Sequence, residues 1–185
     1  KNYYEKIPTN WTLTPLVNCC SFISRGKSPT YSSIERIPVI AQKCNQWGKL
    51  YMDRCLYLDP NKSKKYSEDY FIHPKDILIN STGGGTVGRT GIVNTNDINE
   101  YEKVVWDSHI TVVRVLDSIY MKFIFYYLIS PIIQVGLEKR CEGSTNQIEL
   151  YPKVIKSYIV PLPPLQEQIR ISTKIEKLFY YISSI

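Results

Sequence analysis

The sequence has only two histidines, His73 and His109, and neither stands near a set of side chains that would hold a metal ion. Both read as structural or hydrogen-bonding residues. The five cysteines, Cys19, Cys20, Cys44, Cys55 and Cys141, form no C-x-x-C and are odd in number, which argues against a zinc ribbon and against a complete disulfide framework. Buried thiols are the expectation. No aspartate or glutamate opens an E-x-K or D-x-K, so the two-acid-plus-lysine core of a hydrolytic nuclease is missing. The only Pro-Pro pair, Pro163-Pro164, stands in "LPPL" rather than in the Asn/Asp-Pro-Pro-aromatic tetrad of an amino-methyltransferase, and G-x-S-x-G is absent. The most apolar stretch, "SIYMKFIFYYLISPII" from Ser118 to Ile133, carries Lys122 and is cut by Pro131, which leaves it short of a membrane span. A buried helix is expected there. No charged-then-apolar leader opens the chain, and its first residue is Lys1, so a segment of a longer protein is expected.

What is present is the balance of a soluble globular domain: 185 residues, 43% hydrophobic and 22% charged. The net charge of +6 favours anionic partners such as nucleic acid or acidic lipid headgroups. From Ser33 to Ile92 short β-rich runs alternate with turns: "RIPVIA", "GKLYMD", "CLYLD", "KDILIN" and "RTGIVN". "HITVVRV", His109 to Val115, reads as a further strand, followed by a helix over Ser118 to Ile129. "SYIVPLP", Ser157 to Pro163, reads as a last strand that proline ends. The fold class that follows is α/β or α+β, without internal repeats or low-complexity tracts.

Two stretches invite a sharper reading. In "STGGGTVGRTG", Gly83, Gly88, Arg89 and Thr90 copy the spacing of the P-loop G-x-x-x-x-G-K-[ST]. A P-loop must run into a helix whose N-terminal amides face the phosphates, whereas "TGIVNT" reads as a strand, and arginine replaces the lysine. The nucleotide-binding reading therefore fails. After Pro163, "PLQEQIRISTKIEKLFYYISSI" has prolines only where a first helical turn tolerates them. Ile171, Ile175, Leu178, Ile182 and Ile185 are spaced four, three, four, three, the a/d seam of a heptad repeat. Such a seam fits a helix packed on its own domain as well as one that pairs. The pattern stops without a capping glycine, which favours a partner helix or a continuation.

Four stretches in order, "IPTNW" with "SRGKSPTY" and "IPVI", then "HPKDILINSTGGGTVGRTGIV", "EGSTNQIEL" and "IVPLPPLQEQIRI", resemble a target recognition domain of the type I restriction-modification specificity subunit. The likeness covers nearly the whole chain, and "PLPPLQEQIRI" is its most specific part. Two departures stand out: the family often has glycine where Lys75 precedes Asp76, and Gly83 to Gly85 are more consecutive glycines than its turn usually carries. The resemblance implies a mixed, largely antiparallel recognition domain over residues 1–163 and the start of a long spacer helix over 164–185. It also implies a non-catalytic subunit that reads double-stranded DNA. Partners would be methyltransferase subunits, a restriction subunit, and a second recognition domain or a homodimer through the C-terminal helix. S-adenosylmethionine and ATP with magnesium would sit on those partners and none on this chain, in the cytoplasm of a bacterium or archaeon and away from any membrane. A recognition domain fused to catalytic parts, and a helical scaffold that reads no DNA, are the competing functions.

If DNA is the ligand, phosphate contacts come from lysine and arginine and base discrimination from side chains reaching groove edges. "SRGKSPTY" offers Arg25, Lys27, Ser28, Thr30 and Tyr31, with an ordinary solvated connection as the equal alternative. The glycine-rich turn offers Ser81, Thr82, Thr86 and Arg89, while a hairpin needing positive φ explains its glycines as well. "EKRCEGSTNQIEL" offers Lys139, Arg140, Ser144, Thr145, Asn146 and Gln147, of which Asn and Gln suit adenine and Arg suits guanine. Lys62, Lys64 and Lys65 read as a solvated turn beside Glu68 and Asp69.

Overall fold

The computed structural model describes residues 7–143 and 148–184; Ser144, Thr145, Asn146, Gln147 and Ile185 lie outside them. The strands in chain order are β1 (Thr12–Pro15), β2 (Cys20–Arg25), β3 (Tyr31–Ser32), β4 (Pro38–Ile40), β5 (Asn45–Gln46) and β6 (Lys49–Leu50). They continue as β7 (Leu56–Leu58), β8 (Ile77–Asn80), β9 (Thr90–Ile92), β10 (Val105–Trp106), β11 (Ile110–Val115) and β12 (Ile159–Leu162). The helices are α1 (Thr95–Ile98), α2 (Met121–Ile129), α3 (Pro131–Gln134), α4 (Pro152–Lys156) and α5 (Leu165–Ser183).

The central sheet runs β2-β11-β8-β9, antiparallel throughout. Side chains alternate across a strand, and both faces of β11 are covered. Val113 joins Ile23, Ile77 and Ile79 against α2, while Ile110 and Val112 join Leu78, Ile40 and Trp106 on the other side. A strand buried on both faces reads as a continuous apolar run, which is what "ITVV" is. Helix α2 buries Phe123, Ile124, Phe125, Tyr127 and Leu128 on that sheet, each contributing roughly 1.5–3 kcal/mol of gross burial. It stops before Pro131, which opens α3 at a first-turn position where its missing N–H costs nothing. Among the described residues no helix is long and apolar enough to cross a membrane.

A second sheet, β10-β4-β7-β3, is antiparallel except for the β10/β4 pair, and it closes a smaller core of Ile37, Val39, Leu58, Tyr66, Phe71 and Val105. Of the expected runs, "GKLYMD" shrinks to Lys49–Leu50, because Met52–Arg54 winds into a 3-10 turn. The last strand, β12, stops at Leu162 just before Pro163 as expected, and holds Pro161 within it, opposite Leu13. Among the described residues the β1/β12 sheet has two strands, and an edge strand is where a residue without N–H is tolerated.

Lys75 has φ +73 in the turn that delivers Asp76 into the core. This left-handed conformation is the one glycine adopts freely, so the departure noted at this position carries a steric cost. Asp76 is buried and accepts three hydrogen bonds of 2.8 Å, from Arg114 Nε, Arg114 Nη2 and the His73 backbone N–H. Helix α5 docks by its first half. The buried Gln168 side chain accepts from the Tyr120 backbone N–H at 2.9 Å and donates to the Pro163 carbonyl at 2.8 Å, tying the start of α5 to the start of α2. Trp11 donates to Glu167 at 3.2 Å, and Lys122 pairs with Glu176.

Candidate nucleic-acid interface

The register of the central sheet decides which loops meet. Arg25, the last residue of β2, lies opposite Thr111, and Asn80, the last of β8, lies opposite Ile110. The loop after β2, the glycine-rich loop after β8 and the turn before β11 therefore share one end of the sheet. Gly26 makes this closeness possible, since a Cβ there would meet the carbonyl oxygens of Trp106 and Asp107 at 2.3 Å. The segment that ends at Glu149 joins the group through bridges from Glu149 to Thr82 and to Glu142.

At the centre, Arg25 Nη1 lies 3.4 Å from Glu149 Oε2, with the guanidinium 5.7 Å from the Tyr151 ring centre. The Tyr151 hydroxyl, and then the Arg25 charge, draw the Glu149 carboxyl below its ordinary range. Asp107 beneath them is buried, and that burial pushes its carboxyl up despite the hydrogen bond it accepts from the His109 backbone N–H at 2.9 Å. Gln42 donates its amide nitrogen to both the carbonyl and the hydroxyl of Thr82. A carbonyl only accepts, so the amide orientation is fixed. Thr82 Oγ1 lies 2.8 Å from His109 Nδ1 and can direct its hydroxyl proton there, which places the proton of the neutral imidazole on Nε2. His109 is exposed, so this edge offers an imidazole donor beside a hydroxyl and an amide.

The glycine-rich loop is a long hairpin connection. Gly83, Gly85 and Gly88 have φ of +88, +75 and +85, and β9 follows as a strand, so the P-loop helix is absent here. Thr86 Oγ1 donates inside the loop toward the carbonyls of Thr82 and Gly83. Arg89 donates to Gln46 Oε1 at 2.7 Å and to the Gly85 carbonyl at 3.1 Å, fastening the loop to the β5/β6 hairpin. Ser81 is fully buried against Thr111, so it leaves the set of candidate contacts. Lys27 lies with Nζ 4.5 Å from the Tyr70 ring centre and 5.3 Å from that of Tyr66, and it donates to the Lys65 carbonyl. This brings Lys27 to the turn holding Lys62, Lys64 and Lys65. Ser28, Thr30 and Tyr31 are exposed along the same loop. Lys139 and Arg140 sit on a 3-10 turn; Arg140 lies over Tyr158 at 5.6 Å and reaches the Ile132 carbonyl, away from Arg25. Gln42 and Glu149 are positioning residues that sequence reasoning did not single out, while His109, read as structural or hydrogen-bonding, takes that role beside Thr82.

Among the described residues no cluster of His, Cys, Asp and Glu is arranged to hold a metal. The family model for the type I restriction modification DNA specificity domain matches residues 50–185. The chain belongs to this family. Solved structures agree on the fold of the specificity domain. The HsdS subunit from Thermoanaerobacter tengcongensis has 21% identity and a TM-score of 0.72, over 98% of this chain and 40% of that one. A chain from a study of type I R-M complex assembly and conformational transition has 18% identity and a TM-score of 0.70, over 100% of this chain and 42% of that one. The S subunit from M. genitalium has 15% identity and a TM-score of 0.59, over 97% and 42%. This specificity domain thus spans about two fifths of the solved subunits it resembles. Direct comparison with curated protein sequences returned no match.

The seam on α5 divides in two. Ile171 packs against the main core and Ile175 is half-buried, whereas Leu178 is 54% and Ile182 66% exposed, beside exposed Phe179, Tyr180 and Tyr181. The first half of the seam serves the specificity domain itself, and the second half is left open.

Proposed function

We propose that this chain is one recognition half of a type I specificity subunit: it reads one part of a bipartite duplex target and holds the modifying and cutting subunits in register. The observation that carries the reading is the meeting of four loops at one end of the central sheet, where Arg25, Thr82, His109 and Glu149 combine charge with fixed hydrogen-bonding groups. Such a surface joins phosphate attraction to directional donors and acceptors, which sequence readout needs. Lys27, Ser28, Thr30, Tyr31, Thr86 and Arg89 flank it, and Lys139 and Arg140 lie further off.

The subunit is non-catalytic in this reading. Methylation belongs to methyltransferase subunits that bring S-adenosylmethionine and flip the target base, and cleavage to a restriction subunit that uses ATP and magnesium. The open half of α5 supplies the pairing surface, either for the helix of a second recognition domain or for a second copy of this chain. At 1.5 Å of rise per residue, helix length then sets the distance between half-sites. Sequencing of modified bases in the host DNA tests this: a bipartite motif with a fixed spacer is expected, and a motif without a spacer contradicts it.

A further inference from the structure

We infer that the β5/β6 hairpin is a second DNA contact, in which Trp47 stacks on an exposed base face beside the recognition loops; this rests on the DNA-reading function proposed above. Trp47 stands in the two-residue turn between Gln46 and Lys49 and is 53% exposed, unlike Trp106, which is fully buried, and Trp11, which is tied to Glu167. An indole that leaves about half of its surface to water is a costly feature to hydrate.

The hairpin backbone that carries Trp47 is firmly held. Asn45, fully buried at its base, donates to the Leu78 carbonyl at 3.1 Å, to Asn80 Oδ1 at 2.9 Å and to the Arg89 carbonyl at 3.2 Å. The Gly48 N–H donates to the Thr90 carbonyl at 2.9 Å, and Gln46 accepts from Arg89. These bonds join the hairpin to both ends of the glycine-rich loop, so the turn that carries Trp47 adjoins one of the recognition loops. A backbone fixed before binding lowers the ordering entropy that docking of the ring must overcome.

Charge beside the hairpin selects the partner. Lys49 and Arg54 lie 4.8 Å and 4.1 Å from the Tyr51 ring centre, and Arg54 also donates to the Lys43 carbonyl. Lys49 thus lies on the hairpin itself, and Arg54 follows it on the 3-10 turn Met52–Arg54 beside Asp53, both over the Tyr51 ring. Aromatic rings set among cations match a nucleic-acid strand, whose phosphates take the charge while a base takes the ring. In duplex DNA the indole acts as an apolar wedge at a deformable step, where unstacking costs least.

Photo-crosslinking tests the inference with the full specificity protein assembled with its methyltransferase subunits, on random-sequence duplexes carrying 5-iodouracil. The expected result is a crosslink mapped by mass spectrometry to Trp47, about tenfold weaker DNA binding in Trp47→Ala, and recovery of most of that loss in Trp47→Phe. Because Trp47 is exposed, both variants are expected to keep the wild-type unfolding curve, which serves as the control for folding. DNA binding with no Trp47 crosslink and no loss in Trp47→Ala overturns the inference and leaves the recognition reading standing. A Trp47 crosslink to a methyltransferase subunit rather than to DNA also overturns it. Absence of DNA binding by the assembled wild-type protein overturns both.

Discussion

Arg25 and Glu149, 124 residues apart in the chain, meet with Nη1 and Oε2 at 3.4 Å, a long contact for an ion pair. Arg25 Nε and Nη2 are buried and find no partner among the described residues. The Arg25 charge thus has one long-range ionic partner, and that partner is a carboxylate that would repel a phosphate.

Glu149→Gln is therefore expected to raise affinity for random duplex DNA about fivefold, the Boltzmann factor of roughly 1 kcal/mol for one unit charge at short range in water. Discrimination between cognate and random duplexes should fall, because part of the selectivity comes from that repulsion. Fluorescence-anisotropy titration of both duplexes checks this, and an unchanged affinity ratio contradicts it.

Asp107 gives a pH dependence with a definite sign. Burial raises its carboxyl above the ordinary 3.8, so the folded state binds a proton more readily than the unfolded chain. Stability is then lost as pH rises from 3.8 through the raised value, since ionisation of the buried group must be tolerated only in the fold. Asp107→Asn keeps an acceptor for the His109 N–H without the charge. The variant should be more stable than wild type near neutral pH, with the advantage shrinking as pH falls; urea denaturation at several pH values reads it.

Lys75→Gly should stabilise the fold by about 0.5 kcal/mol, the gain from relieving a left-handed lysine less the entropy that glycine adds to the unfolded chain. The Lys75 N–H to Val93 carbonyl bond of 2.8 Å is a backbone contact and is kept. Chemical denaturation measures the shift, and destabilisation would mean that the lysine side chain carries a contact worth more than the strain.

Leu178→Glu with Ile182→Glu should abolish pairing through α5 while leaving the domain's unfolding curve in place, because both side chains are exposed and the helix is anchored by Gln168 and Ser172 nearer its start. Light scattering and co-purification with methyltransferase subunits report the assembly. Retained assembly would place the pairing surface elsewhere.

The legible parts of the fold were those with a strong local period. β11 buries its first four residues and α2 five of its nine, and the four-three spacing of α5 is visible by eye. β2 was missed because "CSFISR" interleaves serines and a terminal arginine with its apolar residues, and β10 because two residues carry no period. The heptad seam predicted one continuous surface, yet the domain uses its first half for docking, a choice set by where α2 lies rather than by spacing. At the candidate interface the loops could be named, but Arg25 with Glu149 and Gln42 with Thr82 are long-range contacts fixed by strand register. Ser81 illustrates the reverse: a polar residue in a promising loop that folds inward to Thr111.

Whether the loop cluster around Arg25 holds DNA is read from the salt dependence of binding. For the assembled protein, the logarithm of the association constant should fall linearly with the logarithm of salt concentration, with a slope of about 0.9 per phosphate contacted. Arg25→Gln together with Lys27→Gln should reduce the magnitude of that slope by about 1 to 2 while the complex still forms. An unchanged slope in the double variant, or binding insensitive to salt in the wild type, would contradict the account.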